Sequence, residues 1–310
     1  MWRKRSTQEI YIVVIKKKYI GLLLLVTILI GIFFVKTNYN KDIENKDIEQ
    51  INVYSFNAIP NDKIDDTLAI QKSIEYAKKH KIKTIYFPKG KYIVSNINLR
   101  SNIDIYFNNV TFQVIPNSSV GYKVINIQDV HNVSLKGNLL IDGERYFHKN
   151  GNGEWGMGVS ILGSSKILIE NIVVTKCWGD GIYISSSIKD YSENIILKNL
   201  KLINNRRQGI SIISGKDIKI INPLIFNTEG TPPAFGIDIE PNSNKDRVEK
   251  ITIENPYIMN NEGGGILVYG GNYSKKNKKM SIKIKNSEKI KDQIVLKEMD
   301  NINVLLTLEN

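Results

Sequence analysis

Cysteine is almost absent: Cys177 stands alone in 310 residues. That excludes a disulfide framework and any zinc site built on cysteine pairs, and leaves one thiol expected to pack in the core as a small apolar group. Histidine is nearly as scarce, with three residues, of which His80 and His131 read as surface and turn positions. The aromatic-and-basic clusters that grip nucleic acid are missing too. The formal charge of +12 does not replace them, because residues 1–36 alone contribute +6 of it. The remaining +6 is a mild bias, suited to an acidic glycan or a phosphate-rich envelope surface and too small for nucleic acid. What the chain has in abundance is Ile, Asn and Lys, with 22 Gly and 15 Tyr at 42% hydrophobic content. This suits a β-rich chain with many turns and a single sizeable core.

The first fifty residues read as an address. Lys16-Lys17-Lys18 precedes an uncharged run from Tyr19 to Val35, whose length as a helix, about 26 Å, is at the short end for spanning a bilayer. The basic flank puts the N-terminus in the cytoplasm by the positive-inside rule. The expected organisation is a basic cytoplasmic segment at 1–18, a transmembrane signal anchor at 19–35, a solvated linker at 36–50 and one domain over 51–310. A cleaved secretory signal is the alternative, but Phe33-Phe34-Val35-Lys36 lacks the small residues of a cleavage site.

The body repeats. Gly158-Val-Ser-Ile, Gly181-Ile-Tyr-Ile, Gly209-Ile-Ser-Ile, Gly236-Ile-Asp-Ile and Gly265-Ile-Leu-Val share one pattern, their glycines recurring after 23, 28, 27 and 29 residues. Between them falls a second unit, Ile167-Leu-Ile-Glu-Asn171, Ile195-Ile-Leu-Lys-Asn199, Ile218-Lys-Ile-Ile-Asn222 and Ile251-Thr-Ile-Glu-Asn255. Two short alternating strands per repeat describe an all-β chain wound into a coil, each strand pairing in parallel with its counterpart one turn away. The alternate Ile and Val positions then fill a continuous interior, and the asparagines are expected to stack at an inward corner. Ahead of the coils, Asp65 to Lys79 predicts a helix capped by Asp65 or Asp66, its Ile70, Ile74 and Ala77 stripe closing the open strand edge. Thr84 to Pro88 and Lys91 to Val94 predict the first strands. After Gly271, a lysine-rich loop over Lys275 to Lys279 and closing coils to Leu308 are expected.

Val53-Tyr-Ser-Phe-Asn-Ala-Ile-Pro-Asn-Asp-Lys-Ile-Asp-Asp-Thr-Leu-Ala-Ile-Gln-Lys, followed by Ile85-Tyr-Phe-Pro-Lys-Gly-Lys-Tyr-Ile-Val94, resembles the N-terminal signature of the pectate-lyase superfamily. With the coils behind it, the likeness covers about residues 51–270. It implies a right-handed parallel β-helix and a carbohydrate-active chain without fixing the reaction, since that superfamily holds hydrolases, lyases, epimerases and phage tailspikes. Within it, Ile141-Asp-Gly143 and Gly179-Asp-Gly-Ile-Tyr-Ile184 look most like polygalacturonase and rhamnogalacturonase hydrolases. Their pattern of Asn-Thr-Asp, an Asp-Asp pair, Gly-His-Gly and Arg-Ile-Lys has one counterpart here, Asp180. Arg206-Arg207-Gln208 stands where the aspartate pair would fall.

With the five glycines as register, ionisable and aromatic residues gather on one side of successive coils. Asp180, Asp238 and Glu240 are the candidate catalytic residues. Arg206, Arg207, Gln208, Tyr183, Trp155, Trp178, Glu154 and His148 are candidates for holding substrate, Glu154 and His148 as rim residues. Asp180 and Asp238, two coils apart, have backbones about 10 Å apart, near the separation that admits a water in inverting glycosidases. Asp238 and Glu240, two residues apart on one strand, would lie about 7 Å apart. One carboxyl with a raised pKa would protonate the glycosidic oxygen while the other activates water. That hydrolase reading needs no cofactor or metal. In a lyase or epimerase reading, Arg206 or Arg207 would pair with a uronate carboxylate, Tyr183 or a lysine would serve as base, and the three acids would hold Ca²⁺. A third reading makes the chain a non-catalytic glycan-binding or envelope-structural β-helix. There Asp180 shapes a turn, the arginines form a solvated face, and Asp238 and Glu240 belong to an ion-pair ladder. The sequence as a whole predicts a membrane-tethered, extracytoplasmic polysaccharide-processing enzyme, first a glycosidase, with its oligomeric state open.

Overall fold

The computed structural model describes residues 50–149, 151–273, 278–286, 290, 293–300 and 302–309. The expected anchor at 19–35, its basic flank and most of the lysine-rich loop lie outside these residues. Among the described residues, no helix is long and apolar enough to cross a membrane.

The chain winds into a parallel β-helix. One face is an eight-stranded sheet in which Ile97–Asn98, Gly121–Gln128, Trp155–Leu162, Ile182–Ser185, Ile210–Ile212, Phe235–Ile239, Gly264–Tyr269 and Ile294–Lys297 follow one another in chain order. A second face runs through Ser165–Glu170, Ser192–Lys198, Gly215–Ile221, Val248–Glu254, Lys278–Lys285 and Ile302–Glu309. A third runs through Ile172–Thr175, Lys201–Ile203, Leu224–Phe226 and Tyr257–Met259. Each strand pairs in parallel with its equivalent one coil away.

Side-chain alternation turns the repeat into a core. Ile161, Ile184, Ile212, Ile239 and Val268 stand in one register, as do Val159, Ile182, Ile210, Ile237 and Ile266. All ten are wholly buried, and each contributes about 1.5–3 kcal/mol through removal of apolar surface from water. The glycines that start the site sheet stack as the spacing predicts. A Cβ on Gly181 would lie 2.8 Å from Gly209 O, one on Gly209 2.4 Å from Gly236 O, and one on Gly236 2.9 Å from Gly265 O.

The asparagine ladder exists but faces water. Asn199 Nδ2 donates to Asn171 Oδ1 at 3.0 Å, Asn222 to Asn199 at 2.9 Å and Asn255 to Asn222 at 2.8 Å. All four residues have φ between 51° and 59° and are exposed. They sit where the chain turns from the second face to the third, in the left-handed conformation that asparagine tolerates, and there the side chain points away from the core. The inward amides are different residues: Asn205 is wholly buried, and its Oδ1 accepts the Cys177 N–H at 3.1 Å.

The helix runs Thr67–His80, with Ile70, Ile74 and Ala77 buried. Asp65 Oδ1 accepts the Thr67 N–H at 2.9 Å. Asp66, at the N-cap position, makes no capping bond. Its carboxylate instead accepts the N–H groups of Ile59 at 2.9 Å and Ile93 at 3.0 Å, tying the helix start to the first coil. The strands Thr84–Phe87 and Gly90–Val94 both pair with Ile103–Val114, and Gln50–Asn52 pairs with Thr84–Tyr86, so the domain begins within the expected linker.

Candidate functional site

Outward residues of the site sheet follow from the same register: Ser160, Tyr183, Ser211, Asp238 and Leu267 form one column. Asp180, two residues before its strand, is wholly buried. Arg207, from the next coil, lies across it, with Nη1 3.1 Å from Oδ2 and 3.3 Å from Oδ1. Ser211 Oγ donates to Oδ2 at 2.8 Å. Burial raises the Asp180 pKa to about 6 although Arg207 and Ser211 both favour the anion. The guanidinium is itself mostly buried; desolvation works against its charge, but Asp180, Glu154 and Asp238 outweigh that and raise its pKa. Glu154 Oε1 is 3.8 Å from Arg207 Nε, a Coulombic contact beyond hydrogen-bond reach.

Asp238, one coil further on, is 1% exposed. Gln208 Nε2 donates to its Oδ2 at 3.1 Å, while Oδ1 has no partner. Burial first, then the charges of Glu240 and Asp180, push its pKa far above the usual carboxylate range against the pull of Arg207. Glu240, just past the end of the same strand, is half-buried and is the more exposed of the two acids. Tyr183 is half-buried and desolvation raises its pKa, which opposes service as a base.

A second cluster holds the neighbouring loop. Trp178, 8% exposed, is sandwiched between the His148 ring, stacked at 4.0 Å, and the Arg206 guanidinium, 3.7 Å from its ring centroid. His148 is no rim residue: its side chain is wholly buried, with Nδ1 2.8 Å from Glu144 Oε1. Tyr122 OH donates to the same oxygen at 2.5 Å. Arg206 Nη1 donates to the carbonyls of Gly153 and Trp178 at 3.0 and 3.3 Å. This pile fixes the strand entrance that carries Glu154 and Trp155, and Trp155 is 52% exposed. Sequence reading passed over Tyr122, Glu144 and Ser211 as site residues. Ser211 was visible in the outward column, whereas Glu144 follows Gly143 in a loop outside the repeat, where no periodicity marks it. A groove of about 530 Å³ opens elsewhere, beside the asparagine ladder, lined by Asn138, Leu140, Val173 and Lys201 among others and by no acid.

A family model described as rhamnogalacturonase A/epimerase, pectate lyase-like, matches residues 50–289. Two relatives come from Bacillus subtilis (strain 168). The uncharacterized protein YclG is 28% identical over 255 residues, and the SPbeta prophage-derived uncharacterized protein YorA 26% over 226. The alignments cover 71% and 63% of this chain but 44% and 38% of those proteins, so the chain spans less than half the length of either. Among solved structures, a tailspike protein of the Acinetobacter baumannii bacteriophage Fri1, a capsular polysaccharide depolymerase, superposes with TM-score 0.56 at 14% identity, covering 84% of this chain and 48% of that one. A Yersinia enterocolitica family 28 exopolygalacturonase gives 0.53 at 13%, covering 84% and 65%. An iota-carrageenase complexed to iota-carrageenan fragments gives 0.56 at 18%, covering 76% and 54%. At such identities the likeness is one of fold.

Proposed function

Because the chain belongs to the rhamnogalacturonase A/epimerase, pectate lyase-like family, we propose that it is a polysaccharide-processing enzyme, a glycosidase, held outside the cytoplasm by its N-terminal apolar run. One observation carries the choice of centre: Asp238 is buried with its Oδ1 unpartnered, and among the charges that oppose its ionisation Glu240, more exposed, is the first. A buried acid of this kind keeps its proton at neutral pH beside a more exposed one. Asp238 passes its proton to Glu240, which delivers it to the glycosidic oxygen as the bond to the leaving sugar breaks, leaving both acids ionised. Glu154, a third exposed on the far side of Arg207, takes the proton of the water that adds at the anomeric carbon. Asp180 touches no substrate in this scheme; it holds Arg207 between the two acids, where the guanidinium steadies developing charge. Trp155 supplies an apolar face for a sugar ring.

The relatives' printed activities, depolymerisation of a capsular polysaccharide and exopolygalacturonase action, support the substrate class. A panel of acidic and neutral polysaccharides incubated with the full chain and read by mass tests the reaction. Products that gain one water per cut support hydrolysis. Products lacking that water, absorbing near the ultraviolet edge and sensitive to chelator, would assign a lyase instead. Binding without any product would leave a glycan-binding β-helix.

A further inference from the structure

Gln208 is wholly buried, and its amide is held at both ends. Its Oε1 accepts the Phe235 N–H at 2.7 Å, and its Nε2 donates to Asp238 Oδ2 at 3.1 Å. The reverse orientation would set an NH₂ against the Phe235 N–H, donor facing donor, and turn a lone pair toward a carboxylate oxygen, losing both bonds. The chemistry of its neighbours therefore fixes which end faces the acid. Oδ2 of Asp238 consequently always meets a donor. A protonated Oδ2 would accept the Gln208 N–H more weakly than a bare carboxyl oxygen does, so the proton is favoured on Oδ1, buried and without a partner.

We propose that Gln208 is a positioning residue that holds the Asp238 proton on Oδ1, the oxygen left free of a donor. The functional meaning rests on the reading of Asp238 and Glu240 as the reacting pair, but the proton's place does not. The groups around Asp238 are Glu240 just past the end of its strand, Asp180 and Arg207 from the coils before it, and the uncharged Gln208, Ser211 and Leu267. Of these, Glu240 and Asp180 favour retention of the proton and Arg207 opposes it. Gln208 adds a donor that favours the anion at Oδ2 alone. This role differs from substrate binding, since a buried amide with both ends engaged has nothing left to offer a sugar.

The test needs no substrate. In the full chain carrying ¹³C-labelled carboxyls and ¹⁵N-labelled amides, the Gln208 NH₂ protons are expected to shift in step with the titration of Asp238. In Gln208→Leu the Asp238 midpoint is expected to rise by about one pH unit, because the anion loses a donor. An Asp238 midpoint unchanged in folded Gln208→Leu overturns the proposal, and so do Gln208 amide protons that ignore the titration of Asp238. If the leucine variant does not fold, the wild-type amide shifts decide alone. A wild type that shows the coupled shifts but cuts no glycan upholds the positioning of the proton and removes only the enzymatic reading. Where a substrate is found, Gln208→Leu should displace the alkaline limb of kcat/KM upward by the same interval while KM stays put.

Discussion

Arg207 seals Asp180 from water: the carboxylate is wholly buried, and the guanidinium that covers it is 15% exposed. The two residues are not equivalent under mutation. Arg207→Met leaves a buried carboxylate without its counter-ion, which costs about 3–5 kcal/mol at pH 7. Asp180→Asn removes a charge whose burial already offsets its pairing, and should cost less than about 1 kcal/mol. Urea unfolding of the two variants checks this; equal losses would show that pairing, not burial, dominates.

The same burial sets a pH dependence. Asp180 titrates at about 6 in the fold against an ordinary 3.8. The folded chain thus holds this proton where the unfolded chain has released it. Its contribution to stability is complete below the unfolded value and is lost as pH rises through the folded one, by up to about 1.4 kcal/mol per pH unit. Asp66, raised to about 6 by burial, acts in the same direction. Relative to Asp180→Asn, the wild type should therefore lose stability between pH 4 and 6. A wild type that gains on the variant over that interval would reverse the sign.

Backbone contact between glycines is testable on its own. Gly209→Ala would put a methyl 2.4 Å from both Gly236 O and Ile225 Cγ2, and overpacking of this kind costs about 1–3 kcal/mol or more. Gly151, where a Cβ meets nothing within 4 Å, is the control. Chemical denaturation should separate the two alanine variants by at least about 1 kcal/mol.

The exposed asparagine ladder should count despite its exposure. Asn222→Ala removes a donor to Asn199 and an acceptor from Asn255, and places alanine at φ 52°. Strain of about 1–2 kcal/mol at that φ adds to the lost hydrogen bonds. Asn222→Gly, free of the strain, should recover part of the loss in a thermal melt.

The coil was legible because a parallel β-helix writes its register into the chain: glycines where backbones touch, and Ile at every second position of each strand. Polarity of the turns was harder. Asn171 and its counterparts announce a ladder, but their left-handed φ, which decides that they face water, leaves no mark distinct from that of an inward amide such as Asn205. How the candidate acids are held was not legible. Asp180 stands just before its glycine and Asp238 two residues after its own, and neither position announces that Arg207 covers one carboxylate while Gln208 bonds the other. His148 looked like a rim residue because its Gly-Asn-rich loop lacks periodicity, whereas stacking on Trp178 buries it.

The decisive measurement is cleavage by Glu240→Gln of whichever polysaccharide the full wild-type chain degrades, read by product mass beside a polymer-retention assay. Cleavage should fall by about 100-fold or more, the scale of a lost general acid, with retention on the polymer unchanged. Cleavage at the wild-type rate would place the chemistry somewhere other than the Asp238–Glu240 pair.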